Sequence, residues 1–208
     1  MLTHNLTHTI LREHMNSNQN IQEIAKKIKV VFSDVDGVFT NNQVLEGAPY
    51  KSKYRSYYDG QGVSLLRAIG LDVALITNEK GDSAKHILDV VEKWNTLPSS
   101  SKIEGDGGWK HVKIYTGMGG SRKLEAAMDF LKEKNISFDE CAYIGDDLVD
   151  VPLMQKVALR AAPINADPHI KKIAHFISER EGGKGAFRDF ANFILEARGI
   201  DPLTLPPQ

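Results

Sequence analysis

The chain has 208 residues, 41% of them apolar and 25% charged, with a formal net charge of −1. That length supports one domain with a full core, and the near-neutral balance excludes the basic field that nucleic acid would attract. The single cysteine, Cys141, excludes an intrachain disulfide and points to a reducing compartment, and no apolar run approaches the roughly 20 residues of a membrane span.

Residues 1–19 are polar, rich in Asn, Thr and His, and carry no apolar signal core. They are expected to be a flexible tail on a cytoplasmic protein. His4 and His8 would share a helix face, but a tail is the simpler reading. Ile21, Ile24, Ala25 and Ile28 recur at helical spacing, so a short amphipathic helix should lead into the first strand. Val30-Val31-Phe32 is that strand, and Asp34, Asp36 and Gly37 follow it directly. A short apolar run bounded by turn signals is a strand buried on both faces, as in parallel sheets, whose ligands bind outside the carboxyl ends of the strands. Asp34 and Asp36 should therefore stand together at the rim of a sheet. Two acids there repel each other and lose water, and a hard divalent cation with oxygen ligands would relieve both effects.

Asn41-Asn42 signals a turn, and Gln43–Leu45 and Tyr54–Tyr58 read as the arms of a β-hairpin projecting from the first strand. Lys51, Lys53 and Arg55 lie on the second arm. They are either edge charges that discourage aggregation or a basic flap that receives an anionic substrate. Asp59-Gly60-Gln61-Gly62 opens a helix with Val63, Leu66 and Ile69 on its apolar face, ended by Gly70. Asp72–Thr77 is a second buried strand ending in Thr77-Asn78. Residues 83–93 form a helix with Ala84, Ile87, Leu88 and Val91 on one side, and 94–111 are irregular.

Val112–Tyr115 is a third strand, followed by a Gly117–Gly120 loop and a helix with Leu124, Ala127, Met128 and Leu131 in register. Cys141–Ile144 is a fourth strand, ending in Gly145-Asp146-Asp147-Leu148-Val149-Asp150. Val157–Ala161 and His175–Ser178 are shorter strands with a helix near 168–174 between them. A last helix carries Phe187, Phe190, Ala191 and Ile194 and stops at Gly199. Residues 200–208 read as an extended tail. Alternating strands and helices predict an α/β domain over 20–199 with a mostly parallel sheet.

Asp34 with Asp36, Thr77, Lys123, and Asp146 with Asp150 all fall at strand ends or helix starts on one inferred rim. Each type alone has an ordinary structural role. Together they have the chemistry of phosphoryl transfer. Asp34 can take the phosphoryl group as nucleophile, and Asp36 can protonate the leaving alkoxide and then activate water. Thr77 and the backbone N–H groups after it can hold phosphate oxygens, Lys123 can neutralise them near a helix start, and Asp146 adds a ligand for Mg²⁺. Cys141, inside a buried strand, is expected to be an inert thiol.

Asp34-Val-Asp-Gly-Val-Phe-Thr40, Thr77-Asn78, Lys123 and Gly145–Asp150 resemble the four motifs of haloacid dehalogenase-type phosphatases. The resemblance implies a three-layer Rossmann-like fold with Asp34 as nucleophile and Asp36 as acid and base. It assigns phosphate binding to Thr77, Asn78 and Lys123, and Mg²⁺ to Asp34, Asp36 and Asp146. Asp150 would support the metal waters or Lys123, and the role of Asp147 stays open.

Asp59-Gly-Gln-Gly62, Val151-Pro-Leu-Met154, Ala161-Ala-Pro163 and Gly182-Gly-Lys-Gly-Ala186 with Arg188 are similar to the subfamily that has a hairpin flap instead of a large cap. Its best-known members are 3-deoxy-D-manno-octulosonate 8-phosphate phosphatases, and the phosphatase-like domain of some acylneuraminate cytidylyltransferases is similar too. This resemblance implies a homotetramer acting on a small acidic 2-keto-3-deoxy sugar phosphate, with a nonulosonate 9-phosphate as the alternative substrate. Lys51, Lys53, Arg55, Lys184 and Arg188 are then candidates for the sugar carboxylate. A phosphoacceptor domain is the poorer reading, since a receiver has no Asp-x-Asp-Gly after its first strand. A non-catalytic subunit is poorer too, because every motif residue is present. Two features depart from the family. The stretch between Thr77 and Lys123 is longer than usual, with the extra length in 94–111, where a long loop beside the site would alter specificity. Arg122, just before Lys123, could compete for the phosphate.

Overall fold

The computed structural model describes residues 20–47, 52–100, 102 and 107–206. Six strands form one sheet in the order β3-β2-β1-β4-β5-β6, and every neighbouring pair is parallel. They are β1 (Val30–Ser33), β2 (Asp72–Ile76), β3 (Lys113–Tyr115), β4 (Cys141–Ile144), β5 (Leu159–Ala162) and β6 (Phe176–Ile177). The central strands β1, β2 and β4 are buried throughout, which is why they read as unbroken apolar runs rather than alternations.

Successive side chains of those strands enter two separate cores. Val31, Val73, Leu75, Ala142 and Ile144 face one, with helix α1 (residues 20–27), α2 (Tyr57–Ala68), α3 (Lys85–Asn95) and α7 (Ala186–Ala197). Val30, Phe32, Ala74, Ile76 and Tyr143 face the other, with α4 (Ser121–Lys134), α5 (Val151–Met154) and α6 (Pro168–Ile173). Two helix layers thus sandwich one sheet, the expected α/β architecture. Phe32 and Phe130 meet edge to face, with centroids 5.5 Å apart. Cys141 is fully buried and burial pushes its thiol up to about 12, so it is inert as expected. Among the described residues, no helix is long and apolar enough to cross a membrane.

Several local expectations are corrected, among them Leu88 of α3, which is 39% exposed. Among the described residues, the hairpin consists of two isolated antiparallel bridges, Thr40 to Arg55 and Leu45 to Ser52. Its second arm stops short of Tyr57 and Tyr58, because the Ser56 side chain accepts the Tyr58 N–H and starts α2 there; Lys51 lies outside the described residues. In α4 the buried face is Lys123, Ala126, Ala127, Phe130 and Leu131, and Met128 is 46% exposed. Residues 123, 126, 127 and 130 share one face, and that face carries the Lys123 side chain into the rim.

A further correction concerns 94–111. Its described part is anchored rather than loose. The buried Arg67 guanidinium donates to Lys110 O at 2.7 Å, Trp94 O at 3.2 Å and Ser100 Oγ at 2.5 Å. Ser100 and Trp109 line a pocket with Asp72, the first residue of β2. Ser100 and residues 109–111 therefore lie at the amino end of the sheet, whereas Trp94 packs on Phe39 and Gly60. Beyond Gly199, Ile200 and Leu205 pack against the core.

Candidate active site

β1 is flanked by β2 and β4, and the chain leaves β1 and β4 in opposite directions, so a crevice opens beyond their carboxyl ends. The first residue past β1, Asp34, still donates its N–H to Ile144 O at 3.0 Å, which aligns the two strand ends. The loop after β1 supplies Asp34 and Asp36, and the loop after β4 supplies Asp146.

Lys123 reaches the same point from α4. Its Nζ lies 2.6 Å from Asp34 Oδ2 and 2.6 Å from Asp150 Oδ1. Both Lys123 and Asp150 are buried. Asp150 Oδ1 also accepts the Tyr143 hydroxyl at 2.6 Å, and its Oδ2 accepts the N–H groups of Asp146 and Asp147 at 2.9 and 3.2 Å. Asp150 is thus fully occupied as a brace that holds Lys123 and shapes the loop after β4. Burial alone would push the Lys123 ammonium down. Asp34 and Asp150 outweigh that and raise it, so the lysine stays charged. Asp34 is pushed well up, first by burial and then by the Asp150 charge, against the pull of Lys123.

One carboxylate oxygen each from Asp34, Asp146 and Asp150 lie within 4.8 Å of one another. Burial, then Asp150 and Asp147, push Asp146 up to about 7. Acids outnumber bases here, and with Asp150 saturated, Asp146 and Asp34, the latter also paired with Lys123, are the side chains that could hold a cation. Two carboxylates on an otherwise open site suit Mg²⁺, which keeps several waters, better than Ca²⁺. Gly37 makes this possible. Its φ is +84°, and a Cβ there would fall on the Asp146 carboxylate.

Asp36 is held apart from that acid cluster. Its Oδ1 accepts Lys53 Nζ at 2.7 Å and Thr40 Oγ1 at 3.2 Å, and Lys53 also meets Glu79 Oε1 at 2.8 Å. The Lys53 ammonium, with a side chain only 5% exposed, is thereby committed to two acids rather than left free for a sugar carboxylate. Asp34, Asp36, Asn78, Lys123 and Asp146 line one cavity of about 260 Å³. Thr77 is buried at the end of β2, where its hydroxyl accepts the Glu79 N–H at 3.1 Å and so shapes the turn carrying Asn78 and Glu79 into the cavity.

The sequence profile of the haloacid dehalogenase-like hydrolases matches residues 2–186 of this chain. The chain belongs to that family. A 3-deoxy-D-manno-octulosonate 8-phosphate phosphatase of Yersinia pestis is 34% identical over 175 residues, 84% of this chain and 83% of that protein. The crystal structure of the Yersinia pestis phosphatase superposes with a TM-score of 0.73 at 29% identity, covering 86% and 87% of the two chains. A phosphatase of the same name from Moraxella catarrhalis, solved with magnesium, phosphate and 3-deoxy-D-manno-octulosonate (KDO), superposes with a TM-score of 0.68 at 26% identity, covering 85% and 91%.

Not every candidate residue reaches the cavity of this haloacid dehalogenase-like hydrolase. Arg188 does not line it. Its Nε donates to Asn192 on the same helix, and its backbone sits against Gly62. Lys184 is exposed and paired with Glu181, and Arg55 stacks on Tyr57. Arg122 is exposed where Lys123 is buried, and Lys123 rather than Arg122 lines the cavity. Asp147 caps the 3-10 turn Leu148–Asp150 through Leu148 N–H.

Sequence reasoning missed three contributors. Asn42 Nδ2 donates to Asp146 Oδ2 at 3.3 Å, Glu79 anchors Lys53, and Tyr143 anchors Asp150. Only Asn42 carried a local signal. It has φ +59°, and an Asn in the left-handed region right after a rim loop marks a side chain placed by a tight turn.

Proposed function

We propose that this protein is a Mg²⁺-dependent phosphomonoesterase that hydrolyses 3-deoxy-D-manno-octulosonate 8-phosphate. The observation that carries the reading is the buried Lys123, 2.6 Å from Asp34, beside a cavity that opens on Asp36 and Asp146. The name of the Yersinia pestis relative and the magnesium, phosphate and KDO in the Moraxella catarrhalis structure support the substrate and the metal.

Asp34 attacks phosphorus while the ester P–O bond breaks, and Asp36 gives its proton to the departing alkoxide. Water then attacks the aspartyl-phosphate, Asp36 takes its proton, and the P–O bond to Asp34 breaks. Lys123 offsets charge on the transferring group, and Asn78 and the turn held by Thr77 place its oxygens. Asp34 and Asp146 would hold Mg²⁺, which when bound neutralises phosphate oxygens as the charge moves. The free thiol of Cys141 supports a cytoplasmic setting. Leu45, Tyr54 and Tyr57, 67%, 72% and 77% exposed, support a homotetramer joined through the hairpin region.

Phosphate release from a panel of sugar phosphates tests the reading. The eight-carbon keto-acid phosphate should stand far above the nine-carbon one and the hexose phosphates, and Asp34→Asn should abolish turnover. A flat panel would overturn the substrate, and an active Asp34→Asn the mechanism. Light scattering on the eluting protein tests the tetramer.

A further inference from the structure

A second polar cavity, of about 240 Å³, opens at the opposite end of the sheet from Asp34. Asp72, at the start of β2, forms its floor, and Ser100 and Trp109 of the long 94–111 segment close one side. Besides Lys102, three lysines converge on it from separate places: Lys110 from the approach to β3, Lys113 from the first residue of β3, and Lys134 from the last turn of α4. Among the described residues, Asp72 is the only carboxylate in the lining. It is buried and accepts Lys110 Nζ at 2.8 Å with Lys134 Nζ at 3.4 Å, so it orients two ammonium groups rather than cancelling all three. Lys113 is exposed and forms no ion pair among the described residues.

The wall behind the cavity adds to the imbalance. Arg67 is 2% exposed, and among the described residues its guanidinium meets only carbonyl oxygens, the Ser100 hydroxyl and the Trp109 ring, 5.6 Å from its carbon. A buried cation without an anionic partner is uncommon, because burial removes the water that would otherwise screen it. In a chain of net charge −1, the described residues at this end of the sheet therefore carry a local excess of positive charge around an open-mouthed pocket.

We propose that this pocket binds a small multivalent anion, one carrying two or more phosphate or carboxylate groups. Three ammonium groups on separate elements favour a ligand with several charged ends over a single-charge ion. Such a ligand would sit away from the phosphoryl-transfer cavity and would not compete for it.

Trp109 is one of two tryptophans in the chain, so Trp94→Phe leaves it as the sole indole reporter. That protein, free of divalent metal, is titrated with pyrophosphate in one arm and citrate in another, and the arms separate phosphate from carboxylate chemistry. A saturable change in Trp109 emission is expected in at least one arm, with the dissociation constant raised at least about tenfold by Lys113→Gln with Lys134→Gln and by added salt. A non-saturating response in both arms, or the same midpoint in the double variant, overturns the proposal. Should Trp94→Phe fail to fold, calorimetry decides on otherwise native protein. Lys113→Gln alone should then weaken one class of sites and leave turnover unchanged, and identical isotherms would overturn the site.

Discussion

Lys53 Nζ lies 2.7 Å from Asp36 Oδ1 and 2.8 Å from Glu79 Oε1, so one buried ammonium joins the hairpin to the loops after β1 and β2. Burial opposes its charge, but the hydrogen bonds to Asp36 and Glu79 outweigh burial and raise its pKa. Lys53 therefore fixes the carboxyl group that must deliver a proton. A charge-assisted hydrogen bond of this kind contributes about 1.5–3 kcal/mol. Lys53→Met should lower kcat by about 10–100-fold with little change in KM. The same loss should appear with p-nitrophenyl phosphate, which has no carboxylate to bind. A loss confined to the sugar substrate, and to its KM, would return Lys53 to carboxylate recognition.

Asp34→Asn should separate activity from stability. Burial and the Asp150 charge hold the Asp34 pKa well above its ordinary value, so its ionised form is less comfortable in the fold than in the unfolded chain. Replacing it with the neutral amide relieves that repulsion and leaves Lys123 paired with Asp150. Turnover should fall by at least about a thousandfold. The metal-free protein should meanwhile melt about 2–4 °C higher, as about 1 kcal/mol would give in a chain of this size. Calorimetry without metal checks it, and a lower Tm would show that the Asp34 charge stabilises the fold.

Asp146 makes metal binding and stability depend on pH. Its folded pKa, about 7, lies above its ordinary value of 3.8. Without metal, its contribution to stability is complete below that ordinary value and is lost as pH rises through about 7. Metal needs the ionised carboxylate, so Mg²⁺ must displace this proton at lower pH. Mg²⁺ affinity should weaken about tenfold per unit below pH 7 and level off above it. Thermal shifts on Mg²⁺ addition should accordingly be larger near pH 8 than near pH 6. A shift that ignores pH would remove Asp146 from the metal site.

Asp59 sits in the first turn of α2 yet caps α7. Its Oδ1 accepts the N–H groups of Phe187 and Arg188 at 3.0 and 3.3 Å, and its Oδ2 accepts that of Gly185 at 3.2 Å. Gly62, one turn on, approaches the Arg188 backbone so closely that a Cβ would lie 3.0 Å from Arg188 Cα. Burial pushes Asp59 up to about 6 despite those three donors. Asp59→Ala strands all three and should destabilise by about 2–4 kcal/mol in urea. Asp59→Asn keeps the two bonds at Oδ1 and should lose less than half as much. Equal losses would mean that the charge matters more than the cap.

The strands and the rim acids were legible because their signals are local. Val30-Val31-Phe32 is apolar enough to be buried on both faces, and Asp34, Asp36, Thr77 and Asp146 follow their strands within a few residues. The motif Asp59-Gly-Gln-Gly62 was visible, but not that it serves the start of α7, more than a hundred residues away. Asn42 and Asp146 are separated by 104 positions, and Arg67 and Ser100 by 33. What the sequence by itself determined was the α/β order, the parallel sheet and the placement of carboxylates beyond its strands, since periodicity and turn chemistry act over neighbouring residues. Tertiary structure alone decided that Asp150 and Tyr143 brace Lys123, that Lys53 meets Asp36 and Glu79, and that Ser100 and Trp109 stand beside Asp72 at the far end of the sheet. Those outcomes depend on which buried charges find compensating partners, and only packing brings such partners together.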